Sequence, residues 1–221
     1  LKPERVHVVH DGINLEGFEV RSPKSEVRSA TAPVLGFFAR MCRDKGLDTL
    51  VEAFIELKRR GSVPRLKLHV GGGCGPSDEP FVNELRRRLA AAGYLGEAVF
   101  TPNLNRAEKL AFFSALTVFS VPARYGEAFG LYVIETLAAG VPVVQPRHGA
   151  FPEIIVATGG GLLCEPGDAK ALADALEELL QNPARARELG ETGRKAVFEK
   201  FTAEAMARET LRVFERARGG W

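Results

Sequence analysis

Seven residues separate Glu127 from Glu135 in the stretch RYGEAFGLYVIETLAAGVPVV, residues 124–144. Two carboxylates at this spacing suggest either a general acid and a general base or two acceptors for hydroxyl groups. The segment FGLYVIETLAAG predicts a helix that begins near Phe129 or Gly130. Glu127 then lies just before the helix and Glu135 about a turn and a half inside it, since an α-helix rises about 1.5 Å per residue. The two carboxylates therefore need different partners.

The predicted helix is apolar on nearly every face, so Glu135 is buried unless it faces a polar cleft. An unpaired buried carboxylate is too costly, so Glu135 needs hydrogen-bond donors, and sugar hydroxyl groups are suitable ones. Neither glutamate has a metal-binding partner in the pattern, which favours hydroxyl recognition over Mg²⁺. At the start of the helix, the free backbone N–H groups of Phe129, Gly130 and Leu131 would attract a phosphate group.

Two cations, Arg40 and Lys45, follow the first predicted strand in the segment FFARMCRDKGLDTL. The planar guanidinium suits phosphate oxygens and the lysine supplies a mobile point charge, so the pair could grip a diphosphate. The alternative is a pair of solvated loop charges, because Arg43 and Asp44 lie beside them and surface basic residues are common.

Two further loops follow strands. The glycine-rich segment HVGGGCGPSDEP matches neither a P-loop nor a dinucleotide-binding fingerprint, so it predicts a loop that lines a cleft. The segment TPNLNRAEKLAFFSAL places Asn105 as a helix N-cap and Leu104 near the ligand edge. Backbone groups in this second loop could contact a flat base, although a simple connecting turn explains its composition equally well.

The elements that position these residues follow an alternation of apolar runs and amphipathic helical patterns. This rhythm predicts an α/β fold, a Rossmann-like doubly wound and mainly parallel sheet with additional C-terminal helices. Ligands of such sheets bind at the carboxyl edge of the strands. The predicted strands are Val34–Ala39, Leu66–Val70, Ala98–Thr101, Thr117–Val121, Val141–Val144 and Gly161–Cys164. The predicted helices are 47–60, a helix capped by Asp168, Pro183–Lys200 and Ala203–Ala217, and 22–33 is predicted to be a loop.

The bulk properties fit a single globular domain, residues 1–221. A formal charge of +2 argues against a nucleic-acid surface, and no apolar run is long enough to span a membrane. Three separated cysteines favour a reducing cytoplasm over a disulfide framework. Because the chain begins at Leu1 without an initiator Met, we expect it to be part of something longer.

Taken together, the segments resemble the donor-binding half of retaining GT-B glycosyltransferases, specifically glycosyltransferase family 4. The stretch EAFGLYVIETLAAGVPVV is similar to the family's E-x7-E helix and following strand. Four other segments match in the family's order, namely HVVHDGINLEGF, FFARMCRDKGLDTLVEAF, QPRHGAFPEII and TGGGLLCEPGDAKALADAL. Ala39 stands where the family commonly has Gly, and Asp11 replaces the usual Asn of an entry turn.

The resemblance implies a role for each matching residue. Arg40 and Lys45 would hold the nucleotide diphosphate, and Glu127 would contact the hydroxyl groups of the transferred sugar. These three form the implied catalytic set. The implied donor-binding set is Glu135 for the ribose, the N–H groups around Phe129, Gly130 and Leu131 for phosphate, and Leu104 beside the base. No metal and no cofactor are expected, since the nucleoside diphosphate sugar is a substrate.

The resemblance also implies an activity and its partners. Such a domain binds a UDP- or GDP-linked sugar, while a missing N-terminal domain binds the acceptor and makes any peripheral membrane contact. We therefore expect this half to be inactive alone. Two alternatives remain open: a standalone nucleotide-sugar binding module, and a GT-B relative such as a sugar-nucleotide epimerase or a phosphorylase.

Overall fold

The computed structural model of the chain describes residues 6–19 and 32–218. Within these ranges, six short strands form one sheet in the order β3-β2-β1-β4-β5-β6, and all of the pairs are parallel. This confirms the predicted doubly wound α/β fold, whereas most of the predicted loop 22–33 lies outside the described residues. The strands are β1 Val34–Phe38, β2 Lys67–Gly72, β3 Ala98–Pro102, β4 Val118–Phe119, β5 Val143–Pro146 and β6 Gly161–Cys164.

Some strands are shorter than predicted, because backbone N–H groups at their ends donate to groups outside the backbone ladder of the sheet. The fourth strand is shorter than predicted, because Val121 N–H donates to the side chain of Gln145. The fifth starts later than predicted, because Val141 N–H donates to Thr136 O and so belongs to the turn after a helix. The second strand runs on to Gly72, which pairs with the end of β3.

In the described part of the chain, eight α-helices accompany the sheet, in two groups. The helices are α1 Leu47–Arg60, α2 Glu79–Ala91, α3 Arg106–Ser114, α4 Leu131–Ala138, α5 Phe151–Thr158, α6 Ala169–Gln181, α7 Pro183–Lys200 and α8 Ala203–Arg218. Helix α1 packs beside α2 and α6, and α7 packs across α4 and α5. The predicted caps Asn105 and Asp168 both accept bonds from the first turn of their helices.

The core lies between the sheet and these helices. The predicted buried face of α1 is confirmed, since Leu50, Phe54 and Leu57 are fully buried, as are Leu35 and Phe37 of β1. Parallel strands are covered on both faces, so their side chains read as continuous apolar runs rather than as an alternation.

The strand order reverses between β1 and β4, which are neighbours in the sheet although far apart in the chain. Open α/β sheets bind ligands at such a reversal, because the loops that follow the two strands diverge and leave a crevice. The loops in question run from β1 to α1 and from β4 to α4. They contain Arg40 and Lys45 in the first case and Glu127 in the second.

The two terminal helices behave differently. Helix α7 packs back on the body, whereas α8 buries little more than Ala205 and leaves Leu211 and Phe214 exposed. The N-terminal segment 6–19 is tied to the turn between them, since Ile13 N–H donates to Phe201 O and Ile13 O accepts from Ala203 N–H. None of the helices in the described ranges has the length and apolar character needed to cross a membrane.

Candidate functional site

Helix α4 begins at Leu131, not at Phe129 or Gly130 as predicted. Gly130 takes a left-handed conformation and acts as the N-cap without any side-chain cap. Phe129 lies outside the helix, and its ring packs near the ring of Phe201 at 6.2 Å. Phe129 therefore precedes the helix, whose first turn offers the N–H groups of Leu131 and Tyr132. Phosphate binding by the N–H groups of Phe129, Gly130 and Leu131 stays a prediction.

The loop after β4 brings Glu127 against Lys45. Lys45 Nζ lies 2.5 Å from Glu127 Oε2, and the hydroxyl groups of Tyr132 and Tyr125 donate to the same oxygen at 2.8 and 3.2 Å. Lys45 also donates to the Tyr125 hydroxyl group. The Glu127 side chain is only 12% exposed, so this is a mostly buried ion pair with additional hydrogen bonds.

Two contacts hold the loops together and explain why Lys45 meets Glu127. Arg124 N–H donates to Asp44 O at 2.8 Å, and the Arg124 guanidinium contacts the buried Asp48 carboxylate at 2.7 Å. The loop after β4 is thus fixed to the loop after β1 and to the first turn of α1.

The protonation states of the pair follow from its surroundings. Burial raises the pKa of Glu127, but the hydrogen bonds from Lys45 and Tyr132 outweigh this and hold the pKa below its ordinary value. Burial likewise lowers the pKa of Lys45, but hydrogen bonds to Glu127 and Tyr125 outweigh it and raise that pKa. Burial and the nearby carboxylate raise the pKa of the Tyr132 phenol. Both partners are therefore charged at neutral pH, which suits binding better than general-base catalysis.

Arg40 lies on a different partner. Its guanidinium contacts the Asp78 carboxylate at 3.0 to 3.1 Å, while the Arg40 side chain remains 62% exposed. Asp78 also accepts from Gly75 N–H at 3.1 Å, and Met41 N–H donates to Gly73 O. Arg40 therefore forms its ion pair with a residue of the glycine-rich loop and not with the Lys45 and Glu127 pair.

A pocket of about 430 Å³ opens at the carboxyl ends of β1, β2 and β3. Gly72 and Gly73 line it, which confirms the interpretation of the glycine-rich segment as a cleft-lining loop. Leu104 lines it as well, and its contact with a base stays a prediction. The Asn103 side chain fixes its rim by bonding both N–H and O of Cys74. The lining residues are Phe38, Gly72, Gly73, Asn103, Leu104, Asn105, Arg106 and Lys109.

Glu135 points to α3 and contacts Lys109. Lys109 Nζ lies 2.6 Å from Glu135 Oε1, and the Glu135 side chain is 18% exposed. The expectation that Glu135 needs a donor is thus met by a lysine. Lys109 also lines the pocket, so Glu135 and Leu104 lie near the same cavity. The sequence pattern does not predict Lys109, Tyr125, Tyr132 and Asp78 as site residues. For Lys109 the only signal is a charge beside the apolar run LAFF.

The site therefore consists of two ion pairs and a pocket along one edge of the sheet. The pair of Lys45 and Glu127 lies at the reversal of strand order, near the first turn of α4. The pair of Lys109 and Glu135 lies beside the pocket. An elongated ligand would match this arrangement. Its anionic centre would contact the cations, its hydroxyl groups would donate to the carboxylates, and a flat ring would occupy the pocket.

Residues 20–196 match the family model described as "Glycosyl transferases group 1". The match includes both glutamates, both ion pairs and the pocket. This chain belongs to that family.

Curated relatives of known function cover nearly the whole chain. A D-inositol 3-phosphate glycosyltransferase of Nocardioides sp. is 33% identical over 98% of this chain and 49% of its own length. An MMP alpha-(1->4)-mannosyltransferase of Mycolicibacterium hassiacum is 29% identical over 98% of this chain and 50% of its own length. The chain thus spans about half the length of these curated relatives.

Solved structures of other proteins share the fold of this chain. Sucrose-phosphate synthase from Thermosynechococcus elongatus superposes with a TM-score of 0.82 at 28% identity, over 97% of this chain and 53% of that one. The C-terminal domain of a glycosyl transferase group 1 family protein from Francisella tularensis superposes at 0.74 and 25% identity, over 87% of this chain and all of that one. An Anabaena protein, HepE, solved in complex with UDP, has a TM-score of 0.82 at 18% identity over 95% of this chain and 57% of that one. The resemblance to a GT-B C-terminal domain is thereby confirmed.

Proposed function

We propose that this chain is the donor-binding half of a retaining glycosyltransferase that takes a sugar from a nucleoside diphosphate sugar. The observation that carries the proposal is the Lys45 and Glu127 ion pair at the reversal of strand order, beside the first turn of α4. A lysine and free N–H groups attract a diphosphate there, and a carboxylate accepts from sugar hydroxyl groups. The complex of HepE with UDP supports a uridine donor, and the GDP-mannose in the names of other relatives supports a guanosine donor.

In this proposal the donor lies along the carboxyl edge of the sheet. Its base sits in the pocket beside Leu104, and Glu135 accepts from the ribose. Lys45 and the N–H group of Leu131 contact the diphosphate, and the exposed Arg40 contacts it from the loop after β1, beside the glycine-rich loop. Glu127 contacts the sugar, which places it nearest to the transferred group.

The reaction follows from this placement. As the bond between sugar and diphosphate breaks, negative charge grows on the leaving group, and Arg40 and Lys45 stabilise that charge. Glu127 is a poor general base, because its pKa is lowered and three donors contact its carboxylate. The β-phosphate oxygens would therefore help to deprotonate the acceptor. We place no metal in this scheme, since the two cations neutralise the diphosphate, and we expect the reaction in a cytoplasmic setting.

Calorimetry with UDP and GDP tests the binding site directly. We expect one of the two nucleotides to bind at micromolar to millimolar concentration, and Glu135→Ala to weaken the corresponding nucleoside by about tenfold, the loss typical of a hydrogen bond to a charged group. Absence of binding of both nucleotides at millimolar concentration to the folded chain would contradict the proposal.

The role of Arg40 has its own test. Arg40→Ala should weaken the binding of UDP about tenfold more than the binding of UMP, because a guanidinium contributes most where two phosphates are present. Asp78→Asn is the matched control, since it breaks the same ion pair but leaves the guanidinium free. Equal losses for UDP and UMP in Arg40→Ala would rule out the phosphate role.

A standalone nucleotide-sugar binding module remains the second candidate function. The Francisella tularensis structure, which holds only the C-terminal domain of a family member, supports one requirement of such a module, namely that the domain forms an ordered structure by itself. The gene decides between the two, because the first function requires a coding region for a preceding domain in the same frame.

A further inference from the structure

Lys109 is a cation of this edge to which neither the sequence nor the family resemblance gives a role. It lies on the first turns of α3, whose start is fixed by a capping box between Asn105 and Glu108. The buried rings of Phe112 and Phe113 anchor the following turn of the same helix. The position of Lys109 is therefore set by the packing of α3 and not by a flexible loop.

Lys109 connects the pocket with Glu135. Its side chain lines the pocket together with Leu104 and Phe38, while its Nζ contacts Glu135 Oε1 at 2.6 Å. Both side chains are largely buried, so the pair is less screened than a surface ion pair. The polar contact described for the Glu135 side chain therefore comes from a residue of the pocket wall.

The contact leaves a defined acceptor. A carboxylate has two oxygens, and Lys109 occupies Oε1, which leaves Oε2 for a hydroxyl group. Without a cation, the carboxylate would be free to rotate about its last torsion, and its burial would carry a desolvation cost. A cation at Oε1 fixes the plane of the carboxylate and offsets the cost of burying its charge.

We propose that Lys109 is a positioning residue for ribose recognition, which makes the site specific for ribonucleotides by holding the Glu135 carboxylate toward the ribose hydroxyl groups. The inference rests on the proposed donor-binding function and adds a determinant of nucleoside specificity to it. Lys109 acts through Glu135, so its removal costs discrimination between ribose and deoxyribose rather than affinity for phosphate.

The test compares UDP with 2′-deoxy-UDP, or GDP with 2′-deoxy-GDP if GDP binds more tightly, by calorimetry. The wild-type chain should prefer the ribonucleotide by about tenfold, as expected for a hydroxyl group bound to a charged acceptor. Lys109→Met should bring that ratio close to one, while Lys109→Arg should restore most of it. Lys67→Met is the matched control, because Lys67 is exposed at the opposite edge of the sheet, and its ratio should equal that of the wild type.

A double variant keeps the test independent of folding. Lys109→Met leaves a buried carboxylate unpaired, but Lys109→Met combined with Glu135→Gln does not. If Lys109 works through Glu135, the double variant binds both nucleotides as Glu135→Gln does. Further loss of both nucleotides in the double variant, or an unchanged ratio in folded Lys109→Met, would overturn the inference and leave the proposed function standing. A wild type that binds UDP and 2′-deoxy-UDP equally would also overturn it, and a wild type that binds neither UDP nor GDP would overturn both proposals.

Discussion

At the scale of residues, the site is defined by carboxylates that are already paired. Glu127 and Glu135 each form an ion pair with a lysine. Glu127 also accepts two tyrosine hydroxyl groups, and these contacts hold its pKa below the ordinary value. For Glu127 this favours hydroxyl recognition over general-base catalysis, because an ionised and multiply bonded carboxylate binds hydroxyl groups better than it abstracts protons. The contacts of Glu127 also predict a pH-dependent contribution to stability.

Glu127→Gln should destabilise the chain in a pH-dependent way. The lowered pKa of Glu127 means that its contribution is present above the unfolded-state pKa of about 4.3 and is lost as the pH falls through the lower folded-state value. The raised pKa of Lys45 means that its contribution is lost only as the pH rises through a value above about 10.4. We therefore expect a difference in unfolding free energy of about 1 to 3 kcal/mol that is constant between about pH 5 and pH 10.

Urea denaturation of the wild type and Glu127→Gln from pH 7 to pH 3 measures this difference. It should shrink on the acid side, as Glu127 becomes protonated in the folded state. Glu188→Gln is the control, since Glu188 is an exposed residue paired with Arg185 on α7 and should change stability by less than about 0.5 kcal/mol. A difference that stays constant down to pH 3 would show that the ionisation of Glu127 does not contribute.

At the scale of elements, the sequence predicts what depends on local pattern and misses what depends on packing. Helix α7 has the predicted bounds, because Asn182 caps it and Pro183 suits its first turn. The start of α4 was misplaced because Gly130 is left-handed, a conformation that apolar periodicity does not reveal. The contact of Lys109 with Glu135 spans 26 positions and joins α3 to α4, so no local sequence signal predicts it.

Gly46 illustrates how an element junction positions a site residue. It follows Lys45, is the N-cap of α1, and has a φ of 70°. A Cβ added there would lie 1.8 Å from Pro122 O. Pro122 lies in the loop after β4, which also contains Glu127. The close approach of these two backbones therefore sets the distance between Lys45 and Glu127.

Gly46→Ala should be far more damaging than Gly61→Ala, although the two glycines flank the same helix. Gly61 has a similar φ of 66°, but an added Cβ meets nothing within 4 Å, so only the backbone strain of about 1 kcal/mol applies. At Gly46 the contact with backbone adds to that strain, and we expect a total loss of about 3 kcal/mol or more. Urea denaturation measures the loss of stability, and calorimetry measures the accompanying loss of UDP or GDP affinity. Similar stabilities for the two variants would mean that the loop after β4 moves away without cost.

At the scale of the whole molecule, the ligand edge is a surface as well as a site. Tyr125 and Leu131 flank Glu127 and the start of α4, yet they are 43% and 47% exposed. Apolar and aromatic side chains around a polar site are typical of a surface that another body covers. The curated relatives are about twice as long as this chain, so those proteins contain a further segment of similar size.

We therefore expect this chain alone to bind a donor but not to transfer its sugar efficiently. Transfer needs an acceptor held in line with the donor and protected from water, and holding two reactants in place supplies a large share of rate enhancement. Chromatography of UDP or GDP released from a panel of nucleotide sugars measures transfer and hydrolysis together, and calorimetry on the same samples measures binding. The complete gene product, assayed in parallel, should release nucleotide at least about a hundredfold faster, while Glu127→Gln in that product should abolish most of the difference. Equal turnover by this chain and by the complete product would show that the donor half carries the whole reaction, and the exposed residues around Glu127 would then need no covering partner.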